Sequence, residues 1–84
     1  MDDYKGLREK LENQDFPSKY MYKFITSLDK IPDLKPHFQD AEINTKASSK
    51  GKYVSFTAVV MAISADQIID KYKSLSHIEG LMSL

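Results

Sequence analysis

Two ammonium side chains flank a glycine in the run Ser48-Ser49-Lys50-Gly51-Lys52-Tyr53, and Ser55 follows two residues later. Hydroxyls and lysines gathered in a short turn suit one kind of chemistry, the holding of an anion or of an acidic partner. A plainer account of the same residues is a hairpin turn. Gly51 then supplies a backbone conformation with φ > 0, and the lysines keep the sheet edge soluble. Elsewhere the chain is poor in reactive side chains. His37 and His77 are the two histidines, and apart from the chance acids Asp40 and Glu79 neither has acids or histidines at a spacing that would make a metal-ligand cluster. Ser55, His77 and Asp66 can be written as a triad, but no nucleophile elbow accompanies them. Cysteine is absent, which removes thiolate nucleophiles, disulfides and Cys-based zinc sites. The expectation is a non-enzyme with no metal and no cofactor.

Lysine plus arginine balances aspartate plus glutamate at 12 each, so bulk attraction to nucleic acid or to an anionic membrane is not expected. The aromatic series Tyr20, Tyr22, Phe24 suggests base stacking at first sight. All three fall on one face of a strand, however, which suits a core better. The start of the chain is acidic, with no apolar stretch behind it, and the longest apolar run extends only from Ala58 to Ile63. No leader, no membrane span and a cytoplasmic location are therefore expected. A length of 84 residues predicts one domain, made of an amphipathic helix in residues 1–14 and a core in residues 15–84.

The elements that must position the turn follow from periodicity. Tyr4, Leu7 and Leu11 lie at i, i+3, i+7 and predict a short helix from Asp2 to Asn13, closed by Asp15-Phe16-Pro17. Tyr20 to Ser27 reads as a strand. Leu28 to Gln39, interrupted by Pro32 and Pro36, predicts a short or irregular helix with a regular turn beginning near Pro36. Ala41 to Ser48 alternates as a half-buried strand. Tyr53 to Ile63 is a strand whose residues Val54, Phe56, Ala58, Val60 and Ala62 face a core. Ser64 and Gln67 form a capping box before a helix from Ala65 to Ser76. Leu81 to Leu84 predicts a last strand after Gly80.

This order fits a ferredoxin-like βαββαβ split sandwich of the α+β class. The antiparallel sheet runs 4-1-3-2 with both internal helices on one face. The other face is open. It presents Met21, Lys23 and Ile25 from one central strand and Tyr53, Ser55, Thr57, Val59 and Met61 from its neighbour. Met21, Ile25, Val59 and Met61 read as an apolar strip flanked by Thr57, suited to a second subunit or a partner. The N-terminal helix is another candidate cover for it.

Asp15-Phe16-Pro17, Tyr22-Lys23-Phe24, the Ser48–Tyr53 turn with Ser55, Tyr72 with Leu75, and Leu84 together make the chain resemble the YbeD-like family of small bacterial proteins of unknown function. The resemblance implies a ferredoxin-like fold similar to ACT domains, which regulate amino-acid metabolism. It implies no activity. The sequence departs from the family at the proline-broken stretch Ile31–Phe38, and at Thr26-Ser27, where relatives often carry glycine. Both departures lie where ACT domains bind effectors.

The expected function is that of a small regulatory or adaptor domain binding a protein, or itself as a homodimer. Its expected binding residues are Lys23, Ser48, Ser49, Lys50, Gly51, Lys52, Tyr53 and Ser55, and its expected interface residues Met21, Ile25, Thr57, Val59 and Met61. The alternative is an ACT-like sensor holding an amino acid or other small anion at a dimer interface.

Overall fold

A computed structural model describes residues 4–48 and 50–83. The chain runs α1 (Lys5–Glu12), β1 (Ser18–Ser27), α2 (Ile31–Leu34), β2 (Glu42–Ala47), β3 (Tyr53–Ala62), α3 (Ala65–Leu75) and β4 (Met82–Ser83). The sheet is antiparallel in the order β2-β3-β1-β4. This is the predicted ferredoxin-like order read from the other edge.

β1 and β3 form the centre, paired over ten residues from Ser18↔Ala62 to Ser27↔Tyr53. Alternation along each strand sorts the side chains. Tyr22, Phe24 and Thr26 of β1 are buried, as are Val54, Phe56, Ala58 and Ala62 of β3, while Val60 is only half-buried. Phe38 fills the space above them. Its ring centroid lies 5.2 Å from that of Tyr22 and 5.5 Å from that of Phe56. The aromatic series of β1 thus belongs to the core and offers no stacking platform.

α3 starts where the capping box places it. The Gln67 N–H donates to Ser64 Oγ at 3.1 Å. The Gln67 side chain accepts from the N–H of Ile63, one residue before the cap, at 2.8 Å. Ile68, Ile69 and Leu75 then bury the inner face of the helix.

α1 carries its stripe as predicted, with Leu11 buried and Tyr4 and Leu7 packed on the core. Its described part begins at Lys5 and it ends at Glu12, ahead of the Asp15-Phe16-Pro17 stop. The helix does not cover the open sheet face. It packs beside α3, where Arg8 pairs with Asp66 at 2.6 Å and the Tyr4 ring stacks on Tyr72. Leu11 is what fixes this placement, because its burial requires the helical side of the sheet.

Three further expectations are corrected. The regular helical turn between β1 and β2 starts at Ile31 with Pro32 in its first turn, where a missing N–H costs nothing. Pro36 begins a tighter 3-10 turn over Lys35–Phe38. β2 is less buried than its alternation implies. Ile43 is half-buried, but Thr45 and Ala47 are exposed, because the helical layer stops short of the hairpin end of this edge strand. Among the described residues β4 begins at Met82, one residue later than expected, and holds Met82 and Ser83; Leu84 lies outside the described residues.

Candidate functional site

β2 ends at Ala47, and Ser48 closes the connection to β3 with three hydrogen bonds. Its N–H donates to the carbonyl of Tyr53 at 2.8 Å, and its own carbonyl accepts from the N–H of Gly51 at 2.9 Å. Its Oγ accepts from the N–H of Tyr53 at 3.3 Å. Gly51 has φ +71, a conformation in which a side chain is strained. Lys50 and Lys52 are exposed on either side of it. Ser49 lies outside the described residues.

The register places the hairpin against the end of β1. Tyr53 stands opposite Ser27, and Ser55 is flanked by Ile25 on one side and Lys46 on the other. Around these residues the open face has a hollow of about 290 Å³, lined by Ile25, Lys46, Ala47, Ser48, Tyr53, Val54 and Ser55. Met82 of β4 continues the row beyond Ile25 and is 62% exposed. Of the expected binding residues, Ser48, Tyr53 and Ser55 therefore meet at one place, joined by Ile25 from the expected interface.

The other expected residues lie elsewhere on the same face. Lys23 and Thr57 are opposite each other and form, with Asn44, a polar row across the sheet. Met21, Val59 and Met61 lie beyond that row, at the end of the face away from the hairpin. The apolar strip is thus divided into two patches, one at Met21, Val59 and Met61 and one at Ile25, Met82 and Tyr53. Met21, Tyr53 and Met61 are each 57% exposed.

Lys19, Lys46 and Met82 also belong to this face and were missed as site residues. Pairing assigns Lys19 to it through Met61, Lys46 through Ser55 and Met82 through Ile25. The alternation of β2 already sets Lys46 apart from Ile43, which was the available signal. Charge is partitioned as a result. The open face and its hairpin carry Lys19, Lys23, Lys46, Lys50 and Lys52 against one carboxylate, Glu42, in a chain whose formal net charge is zero. The compensating acids lie among the helices and connections.

The helix start beside the hairpin is occupied by the chain's own acid. Ser27 Oγ donates to Asp29, and this hydrogen bond is the main reason that the Asp29 carboxyl is held below its ordinary range. Neither Asp29 nor Asp33 forms an ion pair with Lys50 or Lys52. The lysines of the hairpin thus keep their charge available to solvent.

The remaining chemistry is dispersed. Ser55 lies on the open face, Asp66 in the first turn of α3 and His77 beyond the other end of that helix, so the three form no triad. His37 and His77 approach, with ring centroids 6.1 Å apart. No group of three or more potential metal ligands occurs among the described residues. No helix among them is long and apolar enough to cross a membrane.

Known proteins match this chain along most of its length. A curated relative from Janthinobacterium sp. (strain Marseille), described as a UPF0250 protein, is 36% identical over 67 residues, covering 74% of each chain. No solved structure matches. Residues 12–84 match the family described as "Protein of unknown function (DUF493)". The chain belongs to this family, the same UPF0250 group of YbeD-like proteins that its turn and flanking motifs resemble.

Proposed function

We propose that this protein is a small binding domain that holds a partner protein on its open sheet face, with the lysine hairpin as a steering and anchoring element. The partition of charge on that face carries the reading. A sheet face left bare by all three helices bears two exposed apolar patches separated by a polar row, and lysines outnumber carboxylates around them. Apolar patches give short-range attraction once water is displaced, while the lysines accelerate encounter with an acidic surface and select for it.

The same charges disfavour self-association through this face. Two copies meeting face to face bring lysine-rich surfaces together, and like charges in apposition are unfavourable. An acidic partner fits better than a second copy.

The experiment is affinity capture from the native cell with wild-type protein and with Met61→Glu, followed by calorimetry on the partner recovered. Met61 is exposed, so the substitution leaves the core intact, and the melting temperature should stay within a few degrees of wild type. Partner binding should fall. A thermal-shift series with amino acids and small carboxylates is run beside it. Stabilisation by one such ligand, with no partner captured, replaces this reading by the sensor.

A further inference from the structure

β1 is a central strand for only part of its length. β3 pairs with all ten of its residues, whereas β4 reaches it only at Phe24↔Ser83 and Ile25↔Met82. On the β4 side, no strand among the described residues lies beside Ser18 to Tyr22. No backbone hydrogen bond to this edge is made by any turn or loop among the described residues. Half of the N–H and C=O groups in such a stretch point outward and seek a partner.

Beneath this bare edge lies a cavity of about 500 Å³, open toward solvent. Leu7 of α1, Tyr20 and Phe24 of β1, and Tyr72 and Leu75 of α3 wall it, and the exposed Lys10 stands among them. The Tyr20 and Tyr72 hydroxyls bond to each other at 2.9 Å across it. On the opposite side of the strand, the exposed Lys19 and Lys23 bracket Met21. An added strand would therefore meet, on one face, a recess with aromatic and aliphatic walls and a polar rim of Lys10, Ser76 and Ser83, and two lysines on the other.

We propose that this edge of β1 is a docking site for an extended acidic peptide segment that pairs with Ser18–Tyr22, in line with the described residues of β4. Roughly five residues would pair, spanning about 17 Å. Alternate apolar side chains of the segment enter the cavity, and the carboxylates between them meet Lys19 and Lys23. A second copy of this chain is a poorer occupant. Antiparallel pairing of two β1 edges about Met21 sets Lys19 of each copy opposite Lys23 of the other, and like charges directly opposed are destabilising. The site lies toward the end of β1 remote from the hairpin hollow; it shares Lys19 and Lys23 with the proposed partner face, but N-methylation of the peptide reads the strand edge alone and so separates the two.

The probe is a capped seven-residue peptide alternating glutamate and leucine, titrated into ¹⁵N-labelled protein. Amide shifts should concentrate at Ser18–Lys23 and at the residues walling the cavity. Replacing glutamate by lysine in the peptide, or N-methylating alternate residues along one edge, should weaken binding by at least about tenfold. Lys19→Glu with Lys23→Glu in the protein should do the same without lowering the melting temperature. The proposal is overturned if shifts centre on Ser48–Tyr53, if the N-methylated peptide binds like its parent, or if millimolar peptide produces no shifts. It is equally overturned if these amides become protected through self-association as protein concentration rises.

Discussion

Charge and backbone can be separated at the hairpin, because Gly51 carries the conformation and the lysines carry the charge. Gly51 has φ +71, and a Cβ built there meets nothing within 4 Å. The cost of Gly51→Val is therefore conformational and not steric, roughly 1–2 kcal/mol for a side chain held in the left-handed region. In a domain of this size each kcal/mol lowers the melting temperature by about 4–8 °C. The expected loss is about 4–16 °C. Lys50→Glu with Lys52→Glu removes no ion pair and no packing, since both side chains are exposed and unpaired. Its melting curve should overlie that of wild type. Its affinity for an acidic partner should drop, by a factor that shrinks as salt is raised from low to high. Thermal melts by circular dichroism and calorimetry at two ionic strengths make the measurement. Two results refute the reasoning. If charge reversal leaves affinity and its salt dependence unchanged, the hairpin is only a turn. If Gly51→Val melts with wild type, the positive φ is not needed to close it.

Three further outcomes are expected. Phe56 is fully buried against Phe38, so Phe56→Ala should cost roughly 3–5 kcal/mol, and a cooperative urea transition near the wild-type midpoint would overturn the core assignment. Thr26 is 1% exposed and its Oγ1 has no hydrogen-bond partner, so Thr26→Val should stabilise the fold by about 1 kcal/mol; a lower urea midpoint would mean that the hydroxyl is satisfied. Burial, followed by Tyr20 as a charged neighbour, raises the pKa of Tyr22, and burial with the Tyr20 hydrogen bond raises that of Tyr72. Unfolded tyrosines ionise near about pH 10 while these two keep their protons, so the stability they contribute is complete below that pH and is lost as pH rises beyond it. Urea midpoints across that range should fall, and fall less steeply in Tyr22→Phe. A flat profile would contradict the burial of both rings.

What could be read in the sequence was whatever depends on neighbours along the chain. Alternation in β1 and β3 is a local signal, and it assigned Tyr22, Phe24, Val54 and Phe56 to the core and Met21, Lys23, Tyr53 and Ser55 to the open face. The Ser64–Gln67 cap and the glycine of the hairpin are local in the same sense. What escaped depends on pairing between distant segments. The register Ile25↔Ser55 and Lys23↔Thr57 is set by the whole β1–β3 ladder, so neither strand alone reveals that a polar row divides the apolar strip. The proline-containing stretch escaped for another reason. Pro32 and Pro36 each suit the start of a turn, and local preference does not choose between them. Ile31, Leu34 and Phe38 do choose, because all three must reach the same core.

The short β4 belongs to this second class, and it ties the two proposed surfaces together. The two described residues of β4 pair with Phe24 and Ile25, and no described strand lies beside Ser18–Tyr22. Without that pairing, Met82 would not extend the hairpin patch. Lysines occur at both places, Lys46, Lys50 and Lys52 around the hollow and Lys19 and Lys23 beside the bare edge. On an exposed sheet such lysines guard against pairing with another copy. The same charges are what the two proposals rely on for an acidic partner, so a protective feature of the sheet would, on those proposals, also set what it recognises.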